Sequence, residues 1–175
     1  MKYHPGGEEH TRHMLRLGGL LPPARILDMG AGAGEAVAIA REKGFEAMGI
    51  DLVPRGDGVE RGDYLHSALK DGSFEGILSQ CSFYVSGNAG SAMKEAARLL
   101  VPGGVLMLSD VYPIEEDPAD FAREVGLTVE YEEDMTPLWK RYFIQAIWDE
   151  EDICIPTGRK YRYKILIARK SGESL

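Results

Sequence analysis

The sequence predicts a three-layer α/β protein, a mostly parallel sheet with helices on both faces. Three observations carry that expectation. An apolar run at Arg25–Met29 enters a glycine loop, then a helix, then a second apolar run ending on Asp51. Two later apolar runs, around Ile77–Ser79 and Val105–Ser109, each follow a turn signal, Asp71-Gly72-Ser73 and Pro102-Gly103-Gly104. Tyr161–Arg169 then alternates apolar and polar residues as a closing strand does. The order reads as strand–helix–strand four or five times over, followed by a helix and strand inserted before the last strand.

Taken from the amino terminus, residues 1–21 form a leading segment with a helix over Glu8–Gly18, which has Met14, Leu15 and Leu17 on one side and Gly18-Gly19 as its stop. Pro22-Pro23 punctuates the entry to the first strand. His10 and His13 share a helix face, but no acidic or cysteine partner completes a metal-ligand spacing, so no metal site is expected. The loop Gly30-Ala31-Gly32-Ala33-Gly34 suits a tight turn whose backbone approaches a ligand closely. The helix over Glu35–Lys43 offers its amino-terminal N–H groups to an anion and stops at Gly44. Asp51, at the tip of the second strand, can accept two hydroxyl hydrogen bonds from a ribose diol.

Two details separate this unit from a dinucleotide site. The spacing is Gly-x-Gly-x-Gly rather than Gly-x-Gly-x-x-Gly, and Asp28 sits two residues before the first glycine. A carboxylate there repels a pyrophosphate but accepts hydrogen bonds from an ammonium or hydroxyl group. A ligand with a positive centre, an amino-acid tail and a nucleoside fits this pattern better than a nicotinamide dinucleotide. On Leu27-Asp28-Met29-Gly30-Ala31-Gly32-Ala33-Gly34 and Gly49-Ile50-Asp51, the chain resembles the class I S-adenosylmethionine-dependent methyltransferases, in particular their small-molecule, ubiquinone/menaquinone-methyltransferase-like group.

That resemblance extends to about Asp110. It includes Gly62-Asp63-Tyr64, Asp71-Gly72-Ser73-Phe74 and the Leu-x-Pro-Gly-Gly turn at Leu100–Gly104, and it implies a Rossmann-like seven-stranded sheet. It implies that Asp28 and the backbone of Gly30, Ala31, Gly32 and Gly34 hold the methionine portion of the cofactor. Asp51 would hold the ribose, with Leu52 near adenine, and Asp63 and Tyr64 would read the adenine edge. Ser79, Gln80 and Cys81 follow the fourth strand, where residues face the ligand crevice. Cys81 also reads as a small buried hydrophobe. No catalytic base stands out. Asp110 and Tyr112 at the end of the fifth strand and His4 near the substrate mouth are the candidates, with Tyr3 a site residue beside His4 and Asp110 more readily a cap of the following turn. The Asn-Pro-Pro-Tyr motif of base amino-group methylation is replaced by Ser79-Gln80-Cys81-Ser82, and the cysteine set of arsenite methylation is missing.

Beyond Asp110, Pro118–Val125 reads as a short helix and Leu127–Tyr131 as a strand. Thr136–Asp149 reads as an amphipathic helix whose Trp139, Tyr142, Phe143 and Trp148 line either a substrate pocket or a core or dimer contact. The chain is thus expected to be one domain over 1–175, with a lid segment (1–21), a cofactor-binding core (22–112), an inserted helix (134–152) and a tail from Lys170. Net charge is −8, with acidic runs at Glu115–Asp117, Glu130–Asp134 and Asp149–Asp152, which disfavours nucleic acid and anionic membranes as partners. With two cysteines and no leader pattern before the first motif, the expected setting is a reducing cytoplasm, and a homodimer is left open. The expected activity is methyl transfer from S-adenosylmethionine to a small acceptor, at oxygen or carbon. The alternatives are a non-catalytic cofactor-binding scaffold and, less favoured by Asp28, a nicotinamide-dependent oxidoreductase.

Overall fold

The computed structural model describes residues 5–148 and 158–172, with the side chains of 146–148 left aside. Tyr3, His4 and Cys154 lie outside the described residues, as do the side chain of Trp148 and the acidic run at Asp149–Asp152.

Seven strands form one sheet in the order β3-β2-β1-β4-β5-β7-β6. They are β1 (Arg25–Met29), β2 (Glu46–Asp51), β3 (Val59–Arg61), β4 (Phe74–Gln80), β5 (Leu100–Pro113), β6 (Leu127–Asp134) and β7 (Tyr161–Lys170). The pairs from β3 across to β5 are parallel, whereas β7 runs antiparallel to both β5 and β6. The helices are α1 (Gly7–Gly18), α2 (Glu35–Glu42), α3 (Ala89–Leu99), α4 (Pro118–Glu124) and α5 (Thr136–Trp148).

Two cores flank the sheet, and the two-residue alternation of strand side chains decides which residue joins which. From β1, Ile26 packs with Met14, Leu15, Val37 and Ile39 of α1 and α2. Its neighbours Leu27 and Met29 pack on the other face, with Ala92, Met93 and Ala96 of α3 and Ala119 and Ala122 of α4. Asp28 shares Ile26's parity, so its carboxyl lies on the α1–α2 side of the sheet. The alanines of α3 keep that helix close to the strands.

The expected run of alternating strands and helices holds only in part. Among the described residues no α-helix joins β2 to β3, and a single 3-10 turn (Tyr64–His66) lies between β3 and β4. Residues 52–58 contain Pro54, Gly56 and Gly58, which cannot sustain a crossover helix. The Pro102-Gly103-Gly104 turn is also not a clean stop. β5 starts at Leu100 and runs through it, with Phe74 paired to Leu100 and Gly76 to Val105 across a register shift. α1 is itself part of the core, since Met14 is fully buried. Its Thr11 hydroxyl donates to Gln80 Oε1 at 3.1 Å, and His10 Nε2 lies 2.9 Å from the Tyr163 hydroxyl.

Candidate active site

The carboxyl ends of β1, β2 and β4 and the amino terminus of α2 surround a cavity of about 280 Å³. Its floor is the glycine loop. Gly30, Gly32 and Gly34 all hold positive φ (85°, 52° and 78°), the left-handed region that other residues rarely enter. At Gly30 the requirement is also steric, because a Cβ would overlap the Ser82 hydroxyl. The loop is pinned to the second strand, since Gly30 N and Ala31 N both donate to Ile50 O, at 2.9 and 3.2 Å.

Two carboxylates address this cavity. Asp28 is 5% exposed, lines the cavity and accepts no hydrogen bond among the described residues. Burial, and then the nearby charge of Asp51, push its pKa up to about 7. It is therefore poised to accept a cation or a hydroxyl donor. Asp51 has a different setting. Its Oδ2 accepts Gly32 N and its Oδ1 accepts Val53 N, each at 2.8 Å, so the side chain ties the β2 tip to the glycine loop. A carboxylate has about four acceptor positions, and two remain for a ligand's hydroxyls.

Of the residues singled out from sequence, Asp28, Gly30, Ala31, Gly32, Asp51 and Gln80 line this cavity, and Cys81 lies beside them. Others are placed elsewhere. Ser79 is fully buried and donates to Met29 O at 2.8 Å, so its hydroxyl serves the β1–β4 pairing. Gly34 caps α2, and Leu52 is exposed beside the cavity without lining it. Asp63 caps the 3-10 turn, accepting Leu65 N at 2.9 Å with His66 Nδ1 at 3.1 Å, and those partners hold its carboxyl below the usual range. Tyr64 is buried, with its hydroxyl 2.9 Å from both Ser82 O and Ser82 Oγ, and so braces the wall residue Ser82.

Asp110 and Tyr112 are buried and do not line the cavity. The Asp110 carboxyl, 2% exposed, accepts backbone hydrogen bonds from Val111 N at 2.8 Å and Tyr84 N at 3.4 Å. Its pKa also rises to about 7, from burial, against the pull of those donors. This geometry anchors the turn after β4 rather than the segment that follows Asp110. Cys81 is the described non-glycine residue with positive φ (52°), and burial, then Asp110, push its thiol well up. It is therefore a protonated wall residue rather than an activated nucleophile. On α5, Trp139 and Phe143 meet edge to face with centroids 4.7 Å apart, and neither Tyr142 nor those two rings lines the cavity.

Sequence reading overlooked Glu35, Arg55, Ser82 and Val85, all of which line the cavity. For Arg55 a signal was present. The loop after Asp51 is too short for a crossover helix, so it must fold back over the glycine loop. Arg55 N donates to Gly32 O at 2.9 Å, and Gly56 leaves no space for a side chain against the Ala33 carbonyl.

A family model described as a methyltransferase domain matches residues 8–151. The chain is 31% identical to an arsenite methyltransferase from Aquipseudomonas alcaligenes, over 53% of this chain and 34% of that protein. It is also 31% identical to a glycine/sarcosine/dimethylglycine N-methyltransferase from Actinopolyspora halophila, over 56% of this chain and 20% of that one. The chain thus spans between a fifth and about a third of these relatives' lengths. Among solved structures it superposes on phosphoethanolamine N-methyltransferase 2 from Haemonchus contortus, in complex with S-adenosyl-L-methionine. The TM-score is 0.74 at 16% identity, covering 96% of this chain and 54% of the other. At that identity the likeness shows the fold alone.

Proposed function

The chain belongs to the methyltransferase domain family, and from that premise we propose that it takes S-adenosylmethionine as its cofactor and transfers the methyl group to a small-molecule acceptor at oxygen or carbon. The observation that carries the reading is the buried Asp28 carboxylate, without a hydrogen-bond partner among the described residues, on the floor of a glycine-loop cavity, with Asp51 at the neighbouring strand tip. The residues present fit the cofactor. Asp28 suits its ammonium group, the glycine-loop backbone suits its amino-acid chain, and the spare acceptor positions of Asp51 suit its ribose hydroxyls. When bound, the cofactor supplies a methyl group already activated on a sulfonium.

The chain's own contribution is then alignment and exclusion of water. Gln80, Cys81 and Ser82 form the wall after β4, and Cys81 keeps its proton there. Among the described lining residues, the proton-accepting groups are the carboxylates Asp28, Glu35 and Asp51. An acceptor that deprotonates readily, or needs no base, suits this site best. A net charge of −8 and the absence of an Asn-Pro-Pro-Tyr motif favour a small molecule over nucleic acid. Methylation of an amine nitrogen is the second reading, favoured by the three cavity carboxylates and by the substrates that the Actinopolyspora relative's name states.

Calorimetric titration with S-adenosylhomocysteine, with NADH as control, tests the premise. Micromolar binding of the first alone is expected. An acceptor screen with labelled methyl donor follows, and cofactor binding with transfer to no acceptor of any class would turn the reading into a non-catalytic binding protein.

A further inference from the structure

The geometry points to Arg55 as a carboxylate-recognition residue of the cavity, a deeper specification that rests on the cofactor reading above. Three observations converge on it. Among the described lining residues Arg55 is the cationic one, set in a wall that holds Asp28, Glu35 and Asp51 and in a chain of net charge −8.

Its position is also built by the fold rather than left to a mobile stem. Parallel strands ordinarily need a crossover of a dozen or more residues. Here β2 and β3 are joined by residues 52–58, and Asp51 pairs with Arg61 in register. The short connection is pressed onto the glycine loop. Arg55 N donates to Gly32 O at 2.9 Å, Gly34 packs on the backbone carbonyl of Asp57, and Gly49 N donates to Gly58 O at 2.8 Å. The guanidinium consequently lies over Gly32, where a Cβ would come within 2.8 Å of Nη2.

The third observation is the charge pattern. Asp28 offers an anion without a hydrogen-bond partner among the described residues, while Arg55 offers a planar cation on the same cavity. An α-amino-acid group carries the complementary pair, an ammonium and a carboxylate. Guanidinium binds carboxylate in a two-pronged geometry that lysine does not reproduce. The carboxylate belongs either to the amino-acid part of the cofactor or to an acidic acceptor.

The test uses the full chain with Arg55→Met, which keeps the aliphatic stem, and Arg55→Lys, which keeps the charge. Arg55 is exposed, so unchanged melting temperatures are expected for both variants. Two probes separate the sources by calorimetry: S-adenosylhomocysteine, which bears the carboxylate, and 5′-methylthioadenosine, which lacks the amino-acid group. If the cofactor's carboxylate is bound, Arg55→Met weakens the first by roughly 10- to 100-fold and leaves the second unchanged, with Arg55→Lys between. If an acceptor's carboxylate is bound, cofactor affinity is unchanged, but binding of sarcosine to the S-adenosylhomocysteine complex is weakened, while that of its methyl ester is not. Equal losses for both nucleosides would show a packing role and overturn the inference, as would no change in any arm. Wild-type protein that binds neither nucleoside would overturn the cofactor reading itself, and the role of Arg55 with it.

Discussion

The ends of β1 and β5 each carry an aspartate that is almost wholly buried and shifted to about the same pKa, near 7. Their surroundings are nevertheless opposite. Asp28 faces a cavity and receives no hydrogen bond from the described residues, and the charge of Asp51 pushes its pKa further in the direction that burial does. Asp110 faces the turn after β4 and is met by the backbone N–H groups of Val111 and Tyr84, which oppose the shift. Burial alone thus does not mark a reactive carboxylate. The available donors decide whether it holds a ligand or a loop.

The largest effect that could break this contrast is on stability. Asp110→Ala leaves the backbone N–H groups of Val111 and Tyr84 without their acceptor and opens a cavity, and should cost about 2–3 kcal/mol in urea unfolding. A loss under 1 kcal/mol would mean that the turn does not depend on the carboxylate. Asp28→Asn comes next. It should weaken S-adenosylhomocysteine binding by about 2 kcal/mol while raising stability at neutral pH by about 1–2 kcal/mol, because it removes an unpaired buried charge. If Asp110→Asn stabilised the protein equally, the two sites would differ less than their geometry indicates.

The pH dependence sharpens the same comparison. Both carboxyls are raised from 3.8 to about 7, so between those values the folded protein keeps protons that the unfolded chain releases. Their contribution to stability is complete below about pH 4 and declines as pH rises to about 7. Asp28→Asn should flatten part of that slope, measured by unfolding at several pH values. Cofactor affinity should move the other way, growing as Asp28 ionises through pH 7. The smallest effect concerns the opposite end of the sheet, where Arg25 pairs bidentately with Glu75 across exposed surface. Arg25→Ala should change stability by no more than about 1 kcal/mol and cofactor affinity not at all. A change in affinity would show that the strand ends are coupled along β1.

Much of the fold was legible because its signals are local. The Asp28–Gly34 loop, Asp51 and the alternation of Tyr161–Arg169 each announce themselves within a few residues, since a positive-φ turn, an acidic strand tip and a two-residue period are properties of short segments. The site was legible less evenly. Ser79, Gln80 and Cys81 were expected together in the ligand crevice, but Ser79 Oγ turns to Met29 O and leaves the cavity to Gln80, Cys81 and the overlooked Ser82. Asp63 and Tyr64 carry the expected sequence motif, yet their polar atoms are spent on a turn and on Ser82.

By itself the sequence determined the sheet class, the glycine loop and the two acids that frame it, because backbone sterics and periodicity act over short separations. Tertiary structure alone decided which buried aspartate faces open space, that α1 is core through Met14 and Thr11, and that Arg55 reaches the cavity. Each of those depends on which groups fill the remaining directions around a side chain, and these come from segments distant in the chain. Arg55 lies over Gly32, 23 positions away, only because a crossover without a helix folds back on the loop it follows.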